Sequence, residues 1–483
     1  MIILDQTIVN VALPSIQSDL GFSQSSLAWV INAYLIAFGG LLLLAGRLGD
    51  LVGRKRIFLA GLTLFTLASL LCGVAQSQEM LIGARFLQGL GGSMTAAVIL
   101  GMIVTMFDEP ADQAKAIAVY SFVAASGGAI GLLAGGVLTE AINWHWIFFV
   151  NIPIGVATGV AAIKLLKHEE GIGFEQSADL PGALLSVSSL MLLVYTIVET
   201  STYGWGSLHT IGFGALAIAL LVGFFIREAT AKHPLMPLRI FRSRNVSVAN
   251  GVQALMVAGI FGMFFLGALF LQQVLGYDAV DVGLAFLPIA LAIAALSLGV
   301  SARLITRFGA KATLIPGLAV IPIGLAYFAR APIDANYLTD LFPAFLLLGI
   351  GAGLSFPSLM TLAMAGATQE ESGLASGLVN TTQQVGGALG LAVLATIATS
   401  RTETLTAAGS SDAAALLGGF HLAWAIAAGL AAVAFVLAVT LLKPDHVAAA
   451  EVAEREEEIR VSRGLGYNPR EADQPEFAYA TED

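Results

Sequence analysis

The chain has 483 residues, of which 57% are apolar and only 12% charged, with a formal net charge of −10. A mean hydropathy of +0.84 excludes a soluble globular protein of this length, whose surface would demand roughly twice the charge. The negative charge comes largely from the C-terminal tail, and no nucleic-acid partner is expected.

Apolar runs recur along the whole chain. They lie near residues 1–16, 27–46, 57–75, 80–106, 116–138, 145–166, 180–199, 208–226, 247–274, 281–302, 313–329, 341–366, 373–399 and 416–442. Helices of about 18 residues or more can cross a bilayer, so the pattern predicts about fourteen spans. Each span must close its backbone hydrogen bonds internally, and the alternation of a membrane β-barrel is absent. The expected fold class is therefore an all-α membrane protein. The first run is short for a span, and only Met1–Leu4 precedes Asp5, so the natural start is expected to lie upstream. No cleavable signal peptide is predicted, because the N-terminus lacks a basic start and its apolar run carries an Asp.

Lysine and arginine set the expected orientation. All but three of the 23 basic residues fall in the loops after the second, fourth, sixth, eighth and tenth spans or in the tail. The exceptions are Arg85, Arg330 and Arg401. Those loops and both termini are expected to be cytoplasmic, in a multi-pass protein of the inner membrane.

The sequence repeats itself. "ARLITRFGAKA" from Ala302 aligns with "GRLGDLVGRKR" from Gly46, and "VGGALGLAV" from Val385 aligns with "SGGAIGLLA" from Ser126. Two matches at nearly one offset predict two related halves, 1–166 and 247–442, each a six-helix bundle. Residues 167–246 would be a linker carrying two extra spans. Residues 443–483 read as an acidic cytoplasmic tail, largely disordered. Duplicated halves are a common build of secondary transporters, with the substrate site between them.

Three stretches carry polar groups that a bilayer would not tolerate without a reason, and a fourth is rich in glycine. "GRLGDLVGRKR" knots charge between two spans; its glycines, Gly46 and Gly53, allow close backbone approach, and Asp50 can pair with Arg54 or cap a neighbouring helix. "LDQTIVNVALPSI" places Asp5 in the first span, and "ARFLQGLGG" places Arg85 in the fourth with Gln88 one turn away. An ionisable group within a span is a functional candidate, and a buried guanidinium needs partners. Gly127, Gly128, Gly131, Gly135 and Gly136 recur at three- and four-residue steps in the fifth span and make a smooth face for helix contact.

These stretches resemble motifs of the major facilitator superfamily. The charge knot matches its loop 2–3 signature at Gly46, Leu48, Asp50, Gly53, Arg54 and Lys55, and Arg85, Gln88, Gly89 and Gly91 match its fourth-helix motif. The first-helix motif and "WHWIFFVNIPIG" from Trp144 are similar to those of the fourteen-span drug:proton antiporters, with His145 where that family has arginine. The fifth span is similar to the antiporter signature, but Leu132 replaces its proline. The resemblance implies a major facilitator fold of two pseudo-symmetric six-helix bundles plus two inserted helices. It also implies a gating latch at Gly46, Asp50, Gly53, Arg54 and Lys55, and proton coupling at Asp5 and Arg85. The bland alternatives are that the basic loop only sets topology and that Arg85 is structural.

In the second half, "GLASGLVNTTQQVGGALG" from Gly373 puts Asn380, Gln383 and Gln384 into a span with no acid. With Gln88, Gln253, Phe261 and Phe264 they are the expected substrate cavity. The lone Cys72 is expected to be a small core residue. There is no phosphate-binding loop, no metal spacing among the six histidines and no nucleophile–base pair. No catalytic residue, metal or cofactor is therefore expected. The implied activity is proton-coupled efflux of hydrophobic, often cationic, small molecules by a monomer in the lipid bilayer. A dedicated metabolite exporter and a non-transporting membrane sensor or scaffold are the alternatives.

Overall fold

The computed structural model describes residues 1–106, 110–166, 171, 179–232, 234–365 and 372–444. The expected disordered tail lies outside the described residues from 445 onward, as does most of 167–178 in the expected linker.

The described chain is helical, and one helical rod stands at each expected span. They are α1 (Ile2–Leu20), α2 (Trp29–Val52), α3 (Arg54–Gly73), α4 (Gln78–Met106), α5 (Pro110–Ala141), α6 (Asn151–Leu165), α7 (Leu180–Tyr203) and α8 (Leu208–Thr230). The second part holds α9 (Arg244–Leu269), α10 (Ala279–Ala295), α11 (Ala310–Phe328), α12 (Phe342–Ala365), α13 (Ser372–Ala407) and α14 (Asp412–Leu441). Among the described residues, ten helical runs are long and apolar enough to cross a membrane. Large apolar side chains cover the outside, with Leu165 74%, Leu184 68% and Ile163 62% exposed. Such a surface suits lipid and not water.

The two parts repeat one arrangement. In the first, α1 packs on α5, α2 on α4, α3 on α4 and α3 on α6; in the second, α9 packs on α13, α10 on α12, α11 on α12 and α11 on α14. The parts meet along two seams, α2 against α13 and α5 against α10. The inserted hairpin α7–α8 lies along the first seam, with α7 touching both α2 and α13.

Matched details explain why the sequence folds this way twice. Gly53 and Gly309 make the sharp turns into α3 and α11 at φ of 106° and 87°, a region that side chains with a Cβ rarely adopt. Two residues on, Lys55 Nζ donates to the Ile163 and Leu166 carbonyls, and Lys311 Nζ to those of Val439 and Leu442. Each lysine thus satisfies the orphan carbonyls at the end of a helix and complements its dipole. Close approach of α3 to α4 rests on Gly91, where a Cβ would stand 2.8 Å from the Gly61 carbonyl oxygen. In α12 against α11, a Cβ on Gly351 would stand 2.8 Å from that of Gly317.

At the end of the bundle where α1 gives way to α2, the halves are joined. A π-helical turn at Phe270–Val274 ends α9. There Gln272 Nε2 donates to the Val11 carbonyl at 2.9 Å and Gln273 Nε2 to Gln17 Oε1 at 2.7 Å.

Candidate functional site

The first half buries a charged cluster contributed by five helices. Asp5 of α1 is 0% exposed and Arg85 of α4 is 1% exposed. Arg85 Nη1 donates to Asp5 Oδ2 at 2.6 Å. The other carboxylate oxygen, Oδ1, accepts from Gln88 Nε2 at 2.7 Å and from Asn151 Nδ2 at 2.9 Å. Asp5 is therefore held by three donors from α4 and α6, the arrangement that best compensates a buried carboxylate.

Arg85 has partners besides Asp5. Its Nε donates to the Val30 carbonyl at 2.9 Å, and its Nη1 also donates to Gln88 Oε1 at 2.5 Å. The guanidinium carbon sits 4.4 Å from the ring centre of Tyr34 and 5.8 Å from that of Phe148. An aromatic face attracts a cation most strongly where water is excluded. Arg85 is thus supported even in part without its acid. Gln88 is fixed in orientation, since its oxygen takes Arg85 and the Cys72 thiol at 3.7 Å while its nitrogen serves Asp5 and Ser69 Oγ.

The local sequence explains the placement. Arg85 and Gln88 are three residues apart and share one helix face. Val30 sits in the first turn of α2, Asn151 opens α6, and Ser69 lies one turn from the end of α3. Four of the five helices therefore present their contributions near the same end of the bundle. Asp5 reaches them from α1, along whose axis 15 residues, about 22 Å at 1.5 Å each, separate it from Leu20.

The remaining expected residues lie elsewhere. Gln88, expected in a substrate cavity, is instead enclosed in the cluster. Arg54 Nη2 donates to Asp50 Oδ1 at 3.2 Å, an exposed pair at the α2–α3 turn. Gly127, Gly128, Gly131 and Gly135 face Ile3, Leu4, Thr7 and Ile8 of α1, while Gly136 faces Ala279 and Val280 of α10. Leu132, at the position of the missing proline, is buried, and its carbonyl oxygen would be 2.5 Å from a Cβ on Gly283. Gln253 and Gln384 are buried with Oε1 atoms that meet no protein partner. Phe261 lies over Gly387, and the Phe264 ring is 5.2 Å from that of Phe286. Asn380 and Gln383 are half-buried on α13. His145 points towards Asp19 at 3.9 Å, beside Trp144 whose indole donates to the same acid.

Sequence reasoning missed Asn151, Ser69, Tyr34 and the Cys72 contact. Asn151 was within reach, as a polar residue in "VNIPIG" that a bilayer-spanning helix has no local use for. The other three look like ordinary core residues until their neighbours are known.

Comparison with known proteins places the chain. A family model described as Major Facilitator Superfamily matches residues 1–391. The chain is 40% identical over 457 residues to a puromycin resistance protein of Streptomyces alboniger, covering 93% of this chain and 90% of that protein. It is 38% identical over 404 residues to a cephamycin export protein of Amycolatopsis lactamdurans, covering 83% of each. With a tetracenomycin C resistance and export protein of Streptomyces glaucescens the identity is 34%, over 83% of this chain and 74% of that protein. Among solved structures, a bacterial homologue of the human lysosomal transporter Spinster, inward-facing and unoccupied, superposes with a TM-score of 0.65 at 15% identity. That likeness covers 91% of this chain and 94% of the other and concerns the fold alone.

Proposed function

The chain belongs to the major facilitator superfamily, and from that premise we propose that it exports antibiotic-like small molecules in exchange for protons. The relatives named for resistance and export support efflux. The observation that carries proton exchange is Asp5, a carboxylate buried on three donors opposite a buried arginine. A group so placed changes its contacts when it gains a proton, and its neighbours must then rearrange.

The proposed cycle uses the two-part build. The parts are 1–166 and 247–442, with 167–246 inserted between them; both termini face the cytoplasm of the inner membrane, and the protein works as a monomer. A proton from outside neutralises Asp5 and weakens its hold on Arg85, Gln88 and Asn151. Arg85 stays in place on Val30, Gln88 and the Tyr34 ring. The freed α1 then shifts relative to α4 and α6, and the halves rock. At the other end, Gly46, Asp50, Gly53, Arg54 and Lys55 act as the gating latch. Gln253, Gln384, Asn380, Gln383, Phe261 and Phe264 face the cargo. The unpartnered amide oxygens of Gln253 and Gln384 suit cargo with hydrogen-bond donors. The relatives named for one antibiotic each favour a second reading, a dedicated exporter of one compound.

Everted vesicles test both. A panel of antibiotics and dyes is added to vesicles energised by a proton gradient, and substrate-induced proton release is followed. Several unrelated substrates collapsing the gradient supports multidrug exchange, and one alone supports the dedicated exporter. Uptake that is unaffected by collapsing the gradient refutes proton coupling.

A further inference from the structure

The inserted hairpin carries a second buried acid, at the end of the bundle opposite the Asp5 cluster. Asp179, one residue ahead of α7, accepts from the Gly182 backbone N–H at 3.1 Å. Arg227 Nε of α8 donates to both its oxygens, at 3.0 and 3.1 Å. Glu228, the next residue, is 3% exposed. Its Oε2 accepts from the Met236 backbone N–H at 2.7 Å, whereas its Oε1 is buried without a protein partner.

That unpartnered oxygen lies in the neighbourhood of Asp179. A Cβ on Gly182 would meet Asp179 Oδ2 at 2.8 Å and Glu228 Oε1 at 3.0 Å. Both oxygens therefore border one small space, left open by a residue with no side chain. With both acids ionised, two negative charges face one positive charge, and an acceptor stays orphaned in a dry place. Burial strongly disfavours both faults. One proton on Glu228 Oε1 removes them together, because it balances the charge and gives that oxygen a hydrogen to turn towards Asp179 Oδ2 across the same space. The charged groups that bear on Glu228 are Asp179 and Arg227. On the other elements at this end, Lys232 and Arg239 lie in the loop and its 3₁₀ turn, Arg47 near the end of α2, and Arg244 in the first turn of α9, where it donates to the Leu441 carbonyl.

What the cluster holds is a loop that touches both halves. Leu235 is buried with Leu44 of α2 and Ala183 of α7. Its neighbour Met236 is buried with Ala375 and Leu378 of α13, Phe224 of α8 and Val246 of α9. Leu43 of α2 borders both groups, and Leu48 of the charge-knot motif borders the first. The dipeptide is a wedge across the α2–α13 seam, pinned by its own backbone to Glu228.

We propose that Asp179 and Glu228 share one proton and form a second proton site, which pins the Leu235–Met236 wedge across the α2–α13 seam. Loss of that proton to the solution at this end sets two like charges against each other beside Gly182, so that Glu228 swings away from Asp179, carries the bound wedge with it and frees the seam to move. The site stands whether or not Asp5 couples transport, so the test separates the two.

Infrared spectra of reconstituted wild-type protein and Glu228→Gln are compared at about pH 7, where an ordinary glutamate is ionised. The amide variant keeps an acceptor for Met236 and a donor for Asp179, so it folds. The wild-type-minus-variant spectrum is expected to hold the C=O stretch of a protonated carboxyl, which moves in heavy water and shifts in Asp179→Asn. Bands of an ionised carboxylate alone would overturn the shared proton. Substrate exchange is then measured with equal pH on both sides, so that no gradient drives it. The wild-type rate is expected to vary with pH, and the part of that variation due to this site is lost in Glu228→Gln. Met236→Ala should also lose it while keeping the carboxyl band. Unchanged pH dependence in both variants would overturn the wedge as its target.

Discussion

Exchanging Asp5 for asparagine keeps the shape of the side chain and removes its charge. Three donors now converge on a group with one acceptor, and the new amide N–H₂ must point at Arg85 or at the Gln88 and Asn151 amides. Arg85 becomes a buried cation without a counter-ion. Breaking one side of such a pair costs about 3–5 kcal/mol. The Val30 carbonyl, Gln88 oxygen and Tyr34 face that remain on Arg85 place the loss near the lower limit, about 3 kcal/mol. Adding Arg85→Gln removes the stranded charge, so the double variant should be more stable than the sum of the single losses by roughly 2–3 kcal/mol. Unfolding of purified protein in mixed micelles, scored on a four-member cycle, gives these differences. Single losses below about 1 kcal/mol, or additivity within roughly 0.5 kcal/mol, would refute the reasoning that the pair is a mutually dependent buried unit.

Removing one donor is a milder change: Asn151→Ala should cost about 1.5–3 kcal/mol of stability in the same unfolding assay, because a hydrogen bond to the charged carboxylate is lost. Unchanged stability counts against its role at Asp5. Gly91→Val should destabilise by more than about 2 kcal/mol, since the new side chain meets the α3 backbone. Gly83→Ala, which meets nothing within 4 Å, should be neutral or slightly stabilising in the same unfolding assay. Gln272→Ala with Gln273→Ala removes two bonds between α9 and α1, worth together about 1–3 kcal/mol. Spin-label distances across that end should then show a larger open population. Lys55→Met and Lys311→Met should each speed hydrogen exchange at the end of the helix that the lysine caps, α6 and α14, and matched effects are the expected result.

Much of the fold was legible because a bilayer is an exacting solvent. Length and apolarity mark a span without knowledge of its neighbours, and the repeat between Gly46 and Ala302 was visible because turn glycines and capping lysines are fixed by backbone geometry. The candidate site was only half legible. Asp5 and Arg85 stand out, since a charge in an apolar run demands a partner. Ser69, Tyr34 and Cys72 do not, because a serine or tyrosine in a helix reads the same whether it faces a guanidinium or a methyl group. Glu228 was hidden for another reason. It lies two residues before the end of α8 beside Arg227, where a charged pair normally means a solvated helix end. Only the return of the loop to Met236 buries it.

The inserted hairpin also makes the two flanks of the molecule unequal. Helix α7 lies against α2 and α13, with Gly40 of α2 against Val187 and the Thr396 hydroxyl on the Ile197 carbonyl. On the other flank α5 and α10 close on each other directly, with Gly136 and Gly283 each meeting the facing backbone, and α1 of the bundle itself touches both. The insertion therefore thickens one flank by a layer of helix and leaves the other with the plain contact between bundles.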